Sequence, residues 1–576
     1  MHIHLNNRQP SSAGRPRTRN RFRNFVLLFL LAAGIVYFVM QMLPSKEEVQ
    51  PDYMKLDKPV FYQGQAYEIS AIGRQKELKL PLDLVQRWID PKVRSEPGTA
   101  SVILTTEDKV VRLQTDQTTA SVNLQTVPLT SSMQKQGDQL YVPIDILKQL
   151  YGVDLRESAD SGAVLMFTPG ERLRWGRLNK EDGIELRTGP GKRMPIISMI
   201  PRDEKILIWE EVKGWYKVQR TGGEVGFIPA ANVIEETEEV IPERKTDPVI
   251  PRWKPQGKLN MTWEHVVKGN PQTASIPAMP GLNVISPTWF HLADGQGNLK
   301  SLADADYVKW ARSRGYQVWA LVSNSFEPVM TGAALASYET RIHMIEQLLA
   351  FAKQYSLQGI NVDFENMNKS DGPLLVQFLR EMTPLLHAEG LIVSVDVTAK
   401  SGSDSWSRIY DRPALAAVAD YMILMAYDEH WASSPESGSV ASIPWVERSL
   451  RGLLETDKIP PSKLVLGVPF YTRIWTEEKT GEGMKVGSKA VFMEKPRKLI
   501  EEKGLKPVFD AKSGQNYVEY TENGKLNRIW LEDATSIQSR IELVHKYNLA
   551  GVASWRRGFE EPALWQIIQS DLSKQD

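Results

Sequence analysis

Cysteine is absent from all 576 residues, so the chain has no disulfide, no thiolate nucleophile and no cysteine-ligated zinc. Any extracellular part must be stable without cross-links, which suits large domains better than mini-domains. Histidine is scarce: there are eight, none in an H-E-x-x-H or comparable spacing, so neither a metal site nor a cofactor is expected. Charge of one sign is not in excess either. The 70 Lys+Arg balance 70 Asp+Glu, which leaves no bulk electrostatic case for a nucleic-acid partner. The 35 prolines and 39 glycines are scattered rather than run together, as in globular chains, and the length calls for several domains.

One long apolar run is present. Residues 25–43 read FVLLFLLAAGIVYFVMQML, with Gln41 the one polar side chain and no charge. At ~1.5 Å rise per residue this covers a hydrocarbon core of ~30 Å. Arg15, Arg17, Arg19, Arg21 and Arg23 precede it, and Glu47 and Glu48 follow. The positive-inside rule then gives a cytoplasmic tail (1–24), a transmembrane signal-anchor (25–43) and an extracellular remainder, in a single-pass membrane protein. The rival is a cleaved signal peptide. Its apolar region would run ~7–15 residues and end in a small-x-small site. Gln41-Met42-Leu43-Pro44 offers no such site.

Residues 44–170 alternate short strands, such as SVILTTEDKVVRL and GAVLMFT, with short helices, such as LPLDLVQRWI and VPIDILKQLYG. The unit LYVPIDILKQLYGVDLR resembles the repeat of copper amine oxidase N-terminal-like domains. Copper chemistry does not come with it, because no histidine lies between His4 and His265. Residues 171–236 carry five β runs punctuated by Gly-Pro-Gly, Lys-Gly and Gly-Gly turns. LRTGPG, EVKGWYKV and GFIPAANV resemble a bacterial Src-homology-three-type β-barrel, which implies a cell-wall peptide as a partner or else a spacer. Trp215 and Tyr216 are either a ligand platform or core. Residues 237–256, charged and proline-containing, read as a linker.

From 257 to 576, β-rich apolar runs alternate with helical patterns, which is α/β. The strand candidates are KLNMTWE, GLNVISP, YQVWALV, GINVDFE, LIVSVDV, DYMILMA, KLVLGVP and AGVASW. They match a (β/α)₈ TIM barrel with a small α+β insertion at about 477–530. In the fourth strand, alternation turns Ile360, Val362 and Phe364 toward the helices, and Asn361, Asp363 and Glu365 inward. Three inward polar groups are costly unless they are paired or do chemistry. A buried salt-bridged pair is the structural alternative, but no lysine or arginine flanks the segment. Glu365 lies at the C-terminal end, where barrel enzymes keep their active sites. Tyr427 and Asp428 end the sixth strand and Trp555 the eighth. Trp289 and Phe290 end the second, and Tyr471, Arg473 and Trp475 follow the seventh. Aromatic faces gathered at strand ends favour a saccharide cleft.

These residues resemble glycoside hydrolase family 18, whose fourth strand carries D-G-x-D-x-D-x-E, whose sixth carries M-x-Y-D and whose eighth ends in tryptophan. Here the fourth strand reads Gln358-Gly359-Ile360-Asn361-Val362-Asp363-Phe364-Glu365. Its last carboxylate pair is intact, while Gln358 and Asn361 replace the first two aspartates. LGVPFYTRIW and WLEDATSIQSRIELVHKYNLAGVASW are similar to the family's spore-germination and peptidoglycan-directed branch rather than to its chitinases. The resemblance implies retaining, substrate-assisted hydrolysis of β-1,4 bonds in N-acetylglucosamine-containing glycan. Glu365 would be the general acid, Asp363 would orient the 2-acetamido group, and Tyr427 would bond its oxygen. Asn361, Asp428, Trp555, Trp289, Tyr471 and Arg473 would bind substrate. Because the Asn361 amide removes a like charge beside Asp363, Asp363 is expected to titrate lower than in relatives with the full motif. Peptidoglycan is the expected substrate, with chitin or chitooligosaccharides as the alternative. A non-catalytic wall-glycan-binding or scaffold protein is the reading from another class, and the intact Asp363/Glu365 pair counts against it.

Overall fold

The computed structural model describes residues 18–574, apart from 249 and 482. The basic tail through Arg15 and Arg17 lies outside the described residues. Helix α1 (Thr18–Met42) contains one stretch long and apolar enough to cross a membrane, Phe22–Met40, with mean hydropathy 2.1 and no part buried by the protein. Beyond it the chain folds as two compact units.

The first unit holds residues up to 91, 114–119 and 128–245. In its later half, Ile196–Ile200, Ile184–Arg187, Val225–Pro229, Trp215–Arg220, Ile206–Val212 and Arg172–Leu178 lie side by side in that order. Alternation sends Leu186, Ile206, Ile208, Val218 and Ile228 into one small core. Lys213 and Gly214, both left-handed (φ +52° and +78°), make the two-residue turn that such a hairpin demands. Tyr216 packs partly on that core, gives its hydroxyl to Glu235 (2.7 Å) and lies under the Arg174 guanidinium. In the earlier half, Val60–Tyr62 pairs in parallel with Val164–Phe167. The helices Leu82–Trp88 and Ile144–Tyr151 each start directly after a proline, Pro81 and Pro143.

The second unit comprises residues 92–113, 120–127 and 246–576. Eight parallel strands close into a barrel: β1 (Leu259–Glu264), β2 (Val284–Leu292), β3 (Gln317–Ser323), β4 (Gly359–Asp363), β5 (Ile392–Thr398), β6 (Tyr421–Met425), β7 (Leu464–Pro469) and β8 (Gly551–Trp555). The strands follow in chain order around the sheet, and β1 pairs with both β2 and β8. Two cores result. Leu259, Met261, Trp263, Trp319, Leu321 and Ile423 fill the interior. Ile360, Val362, Phe364, Val393, Val395 and Val397 face the helices. Gly359 opens β4 because a Cβ there would stand 2.7 Å from the Trp319 ring and 2.9 Å from the Ile392 carbonyl.

The lobe between β7 and β8 starts at Tyr471, ahead of the expected Glu477, and runs through Trp530. Its five strands form one antiparallel sheet with helix Glu494–Lys503 alongside, so Tyr471, Arg473 and Trp475 belong to its first strand.

Residues 92–113 and 120–127, expected within a 44–170 domain, fold together with the barrel. Ile103 and Val110 join the outer core. Arg341, on α2 (Tyr338–Tyr355), is fully buried and holds Glu381, on α3 (Gly372–His387), through two hydrogen bonds of 2.8 Å. The same guanidinium reaches Glu96 at 2.7 Å, and Glu96 also accepts the Tyr338 N–H at 3.0 Å.

Candidate active site

The polar residues of β4 climb the barrel axis. Asn361 lies lowest and fully buried, its Oδ1 accepting the Trp263 indole N–H (3.0 Å) and the Ser286 hydroxyl (3.2 Å). Asp363 is next, 8% exposed, and its Oδ1 has no hydrogen-bond partner among the described residues. Burial pushes its carboxyl up to about 7 from an ordinary 3.8. β4 ends there, and the chain turns out through Asn366 in a left-handed conformation (φ +47°).

Glu365 stands in that turn, and its backbone is clamped on both sides by one amide. Asn324, fully buried after β3, accepts the Glu365 N–H (3.0 Å) and gives its own N–H to the Glu365 carbonyl (2.6 Å). Thr331 anchors Asn324 in turn, at 3.0 Å. Tyr410 gives its hydroxyl to the Phe364 carbonyl (2.9 Å). The Glu365 carboxyl is held well above the ordinary carboxylate range, first by burial and then by Asp363, Asp396 and Asp428. That direction favours the protonated form, the state from which a carboxyl can give a proton.

β5 adds a carboxylate that sequence reasoning missed. Val393, Val395 and Val397 face outward, so Ser394 and Asp396 face in. Asn361 pairs with Ser394 and Val362 with Val395, so one further step sets Asp396 beside Asp363. The signal was legible: an aspartate on the inward parity of an apolar strand. Its carboxyl is pushed well up by burial and by Asp363, with the Asn361 amide and Trp263 indole pulling the other way. Asp363 itself is raised by burial, and the carboxyl that neighbours it comes from β5, not from position 361 of its own strand.

The opposite rim is built by β6, β7 and the lobe. Tyr427 keeps its phenolic proton, since burial and the neighbouring Tyr471 raise its proton affinity well above the usual. Asp428, left-handed at φ +59°, has a half-exposed side chain that accepts the Tyr471 hydroxyl (2.6 Å), with Arg473 at 3.5 Å. Trp555 packs edge-on against Trp263, with ring centres 5.9 Å apart, and lies 5.8 Å from the His265 ring. Asp363, Glu365, Tyr427, Asp428, Tyr471, Arg473 and Trp555 thus gather at the C-terminal end of the barrel, while Asn361, expected to bind substrate, lies fully buried beneath Asp363.

Trp289 does not join them. β2 runs on to Leu292, with a register shift beyond Thr288, so Trp289 is mid-strand and faces the helices. It is fully buried against Tyr307, gives its N–H to Asn270 (2.7 Å), and offers no face to a ligand. Exposed aromatics lie elsewhere, on the loops after β3 and β5, where Phe326 and Trp406 stand 6.2 Å apart.

Residues 310–560 match the model of glycosyl hydrolases family 18. Residues 61–166 match the copper amine oxidase N-terminal domain and residues 182–234 the bacterial SH3 domain. The uncharacterized glycosylase YvbX of Bacillus subtilis (strain 168) is 28% identical over 302 residues, 50% of this chain and 84% of that protein. A cortical fragment-lytic enzyme of the same organism is 24% identical over 315 residues, 53% of this chain and 72% of the relative. The crystal structure of the spore cortex-lytic enzyme SleL of Bacillus megaterium QM B1551 is 22% identical. Its TM-score is 0.49, and the match covers 58% of this chain and 77% of that one.

Proposed function

We propose that the barrel, whose residues 310–560 match glycosyl hydrolases family 18, cuts β-1,4 bonds of peptidoglycan beside N-acetylglucosamine, with the substrate's own acetamido group as nucleophile. The observation that carries this is Glu365 at the mouth of the barrel, its carboxyl held above the ordinary range by burial and by its aspartate neighbours, next to the buried Asp363. Glu365 gives its proton to the leaving glycosidic oxygen. The acetamido oxygen attacks the anomeric carbon and forms an oxazolinium ion. Asp363 accepts the acetamido N–H and faces the positive charge, and Tyr427 donates its hydroxyl to the acetamido oxygen. Glu365, now a carboxylate, takes a proton from the water that opens the ring, so configuration is retained. Trp555 lies beneath the sugar, and Asp428, oriented by Tyr471 and Arg473, bonds its hydroxyls.

The relative named as a cortical fragment-lytic enzyme and the apolar N-terminal helix favour wall glycan over free chitin. In this reading α1 anchors the chain in the cell membrane with its N-terminus cytoplasmic, and the small β-barrel holds cell-wall peptide. The test is mass analysis of fragments released from purified wall by the full chain. Products should end in N-acetylglucosamine at the new reducing end. Glu365→Gln should cut turnover by roughly two to four orders of magnitude, while a chemically de-N-acetylated wall should bind and stay intact. Efficient cutting of that wall would refute substrate assistance.

A further inference from the structure

Asp396 has no part in the steps above, yet it is 1% exposed at the centre of the barrel. An uncompensated aspartate there is expensive, and such groups persist where they are paired or used. Neither Asp396 oxygen has a hydrogen-bond partner of regular geometry among the described residues, and the same holds for Oδ1 of Asp363 and Nδ2 of Asn361. Among the described residues no lysine or arginine pairs with either aspartate. The titratable groups facing the pair are Glu365 from the same strand, the phenol of Tyr427 from β6 and that of Tyr410 from the loop after β5. All of these are acids that are neutral or negative at any pH, so none supplies a positive charge.

The register makes Asp363 and Asp396 cross-strand neighbours on the inner face, on strands ~4.8 Å apart. Two carboxyl groups so placed in a dry interior do not both ionise, and they titrate as a pair. We propose that Asp396 is a positioning residue that shares one proton with Asp363 across the β4–β5 pair. It supplies from the fifth strand the proton carrier that Asn361 does not provide on the fourth. In the resting site the O–H of Asp396 donates to one oxygen of Asp363, which leaves the other oxygen free for the acetamido N–H. As positive charge builds on the sugar, the proton moves fully to Asp396 and Asp363 carries the whole negative charge. When the ring opens, the sharing resumes. The proton stays within the pair throughout, so no external acid or base enters the balance.

This rests on the family 18 reading, and the experiment separates the two. The full chain is purified in detergent, and kcat and KM are measured from pH 4 to 9 on soluble N-acetylated wall fragments. Asp396→Ala should lower kcat at least tenfold with KM within about twofold. Its acidic limb should move up by about one pH unit, because Asp363 has lost the donor that helps it ionise. Asp396→Asn, whose amide still donates but carries no mobile proton, should keep the acidic limb in place and lose less kcat. Returning the carboxylate to β4 in Asn361→Asp/Asp396→Ala should recover most of the lost kcat and restore the limb. A purely structural aspartate would give no rescue and no shift of the limb. An unmoved acidic limb in Asp396→Ala, or a double variant no better than the single one, overturns the proposal. Should Glu365→Gln remain active in the same assay, the family reading of the site fails instead.

Discussion

Replacing Asp363 by asparagine should stabilise the barrel at neutral pH while disabling it. Burial lifts the Asp363 carboxyl from 3.8 to about 7. At ~1.4 kcal/mol per tenfold change in proton affinity, that gap is worth ~4 kcal/mol. The sign follows from the direction. The folded-state value lies above the unfolded one, so the contribution is fully present below about pH 4 and lost as pH rises to about 7. Asparagine has no proton to lose, so its stability lacks this slope. The stability of the variant minus that of the wild type should therefore climb by ~1.4 kcal/mol per pH step between pH 4 and 7, then level off. Relief of Asp396 alongside adds in the same direction. A constant offset is expected as well, because the new amide brings donors into a site with few acceptors. The slope is the quantity to read. Urea unfolding at five pH values, followed through the fluorescence of the barrel tryptophans Trp263, Trp319 and Trp555, gives it directly. A difference that stays flat with pH would refute the buried, proton-holding state of Asp363. Activity of the variant should be severely reduced through a misoriented acetamido group.

Arg341→Met should cost ~3–5 kcal/mol, because it leaves Glu96 and Glu381 buried without their shared cation. A lowered unfolding temperature checks this, and a barrel fragment starting at residue 257 should be destabilised as well, since it lacks Glu96, Ile103 and Val110. For the anchor, protease added to intact protoplasts should remove the barrel and spare the N-terminal tail. Recovery of a soluble protein that starts near Pro44 would show cleavage instead.

The sequence by itself determined the barrel and the heart of its site. Each β run was short, apolar and β-branched, and helical patterns separated them, so strand identity was a local property. Alternation along residues 359–363 was enough to place Asp363 inside, whereas the strand stops there and Glu365 reaches the mouth from the turn beyond it. The same parity was available for Asp396, but one aspartate in LIVSVDV carries no visible motif. Only the register of β5 on β4 puts it beside Asp363. Trp289 went the other way, because its meaning depended on where β2 stops, and the register shift beyond Thr288 and the continuation to Leu292 are set by neighbours. Asn324 holds Glu365 from 41 positions away, and Glu96 meets Arg341 across 245. No local pattern encodes such pairs. They exist because buried charges and amides must find partners once the strands close, and tertiary packing alone decides which residues those are.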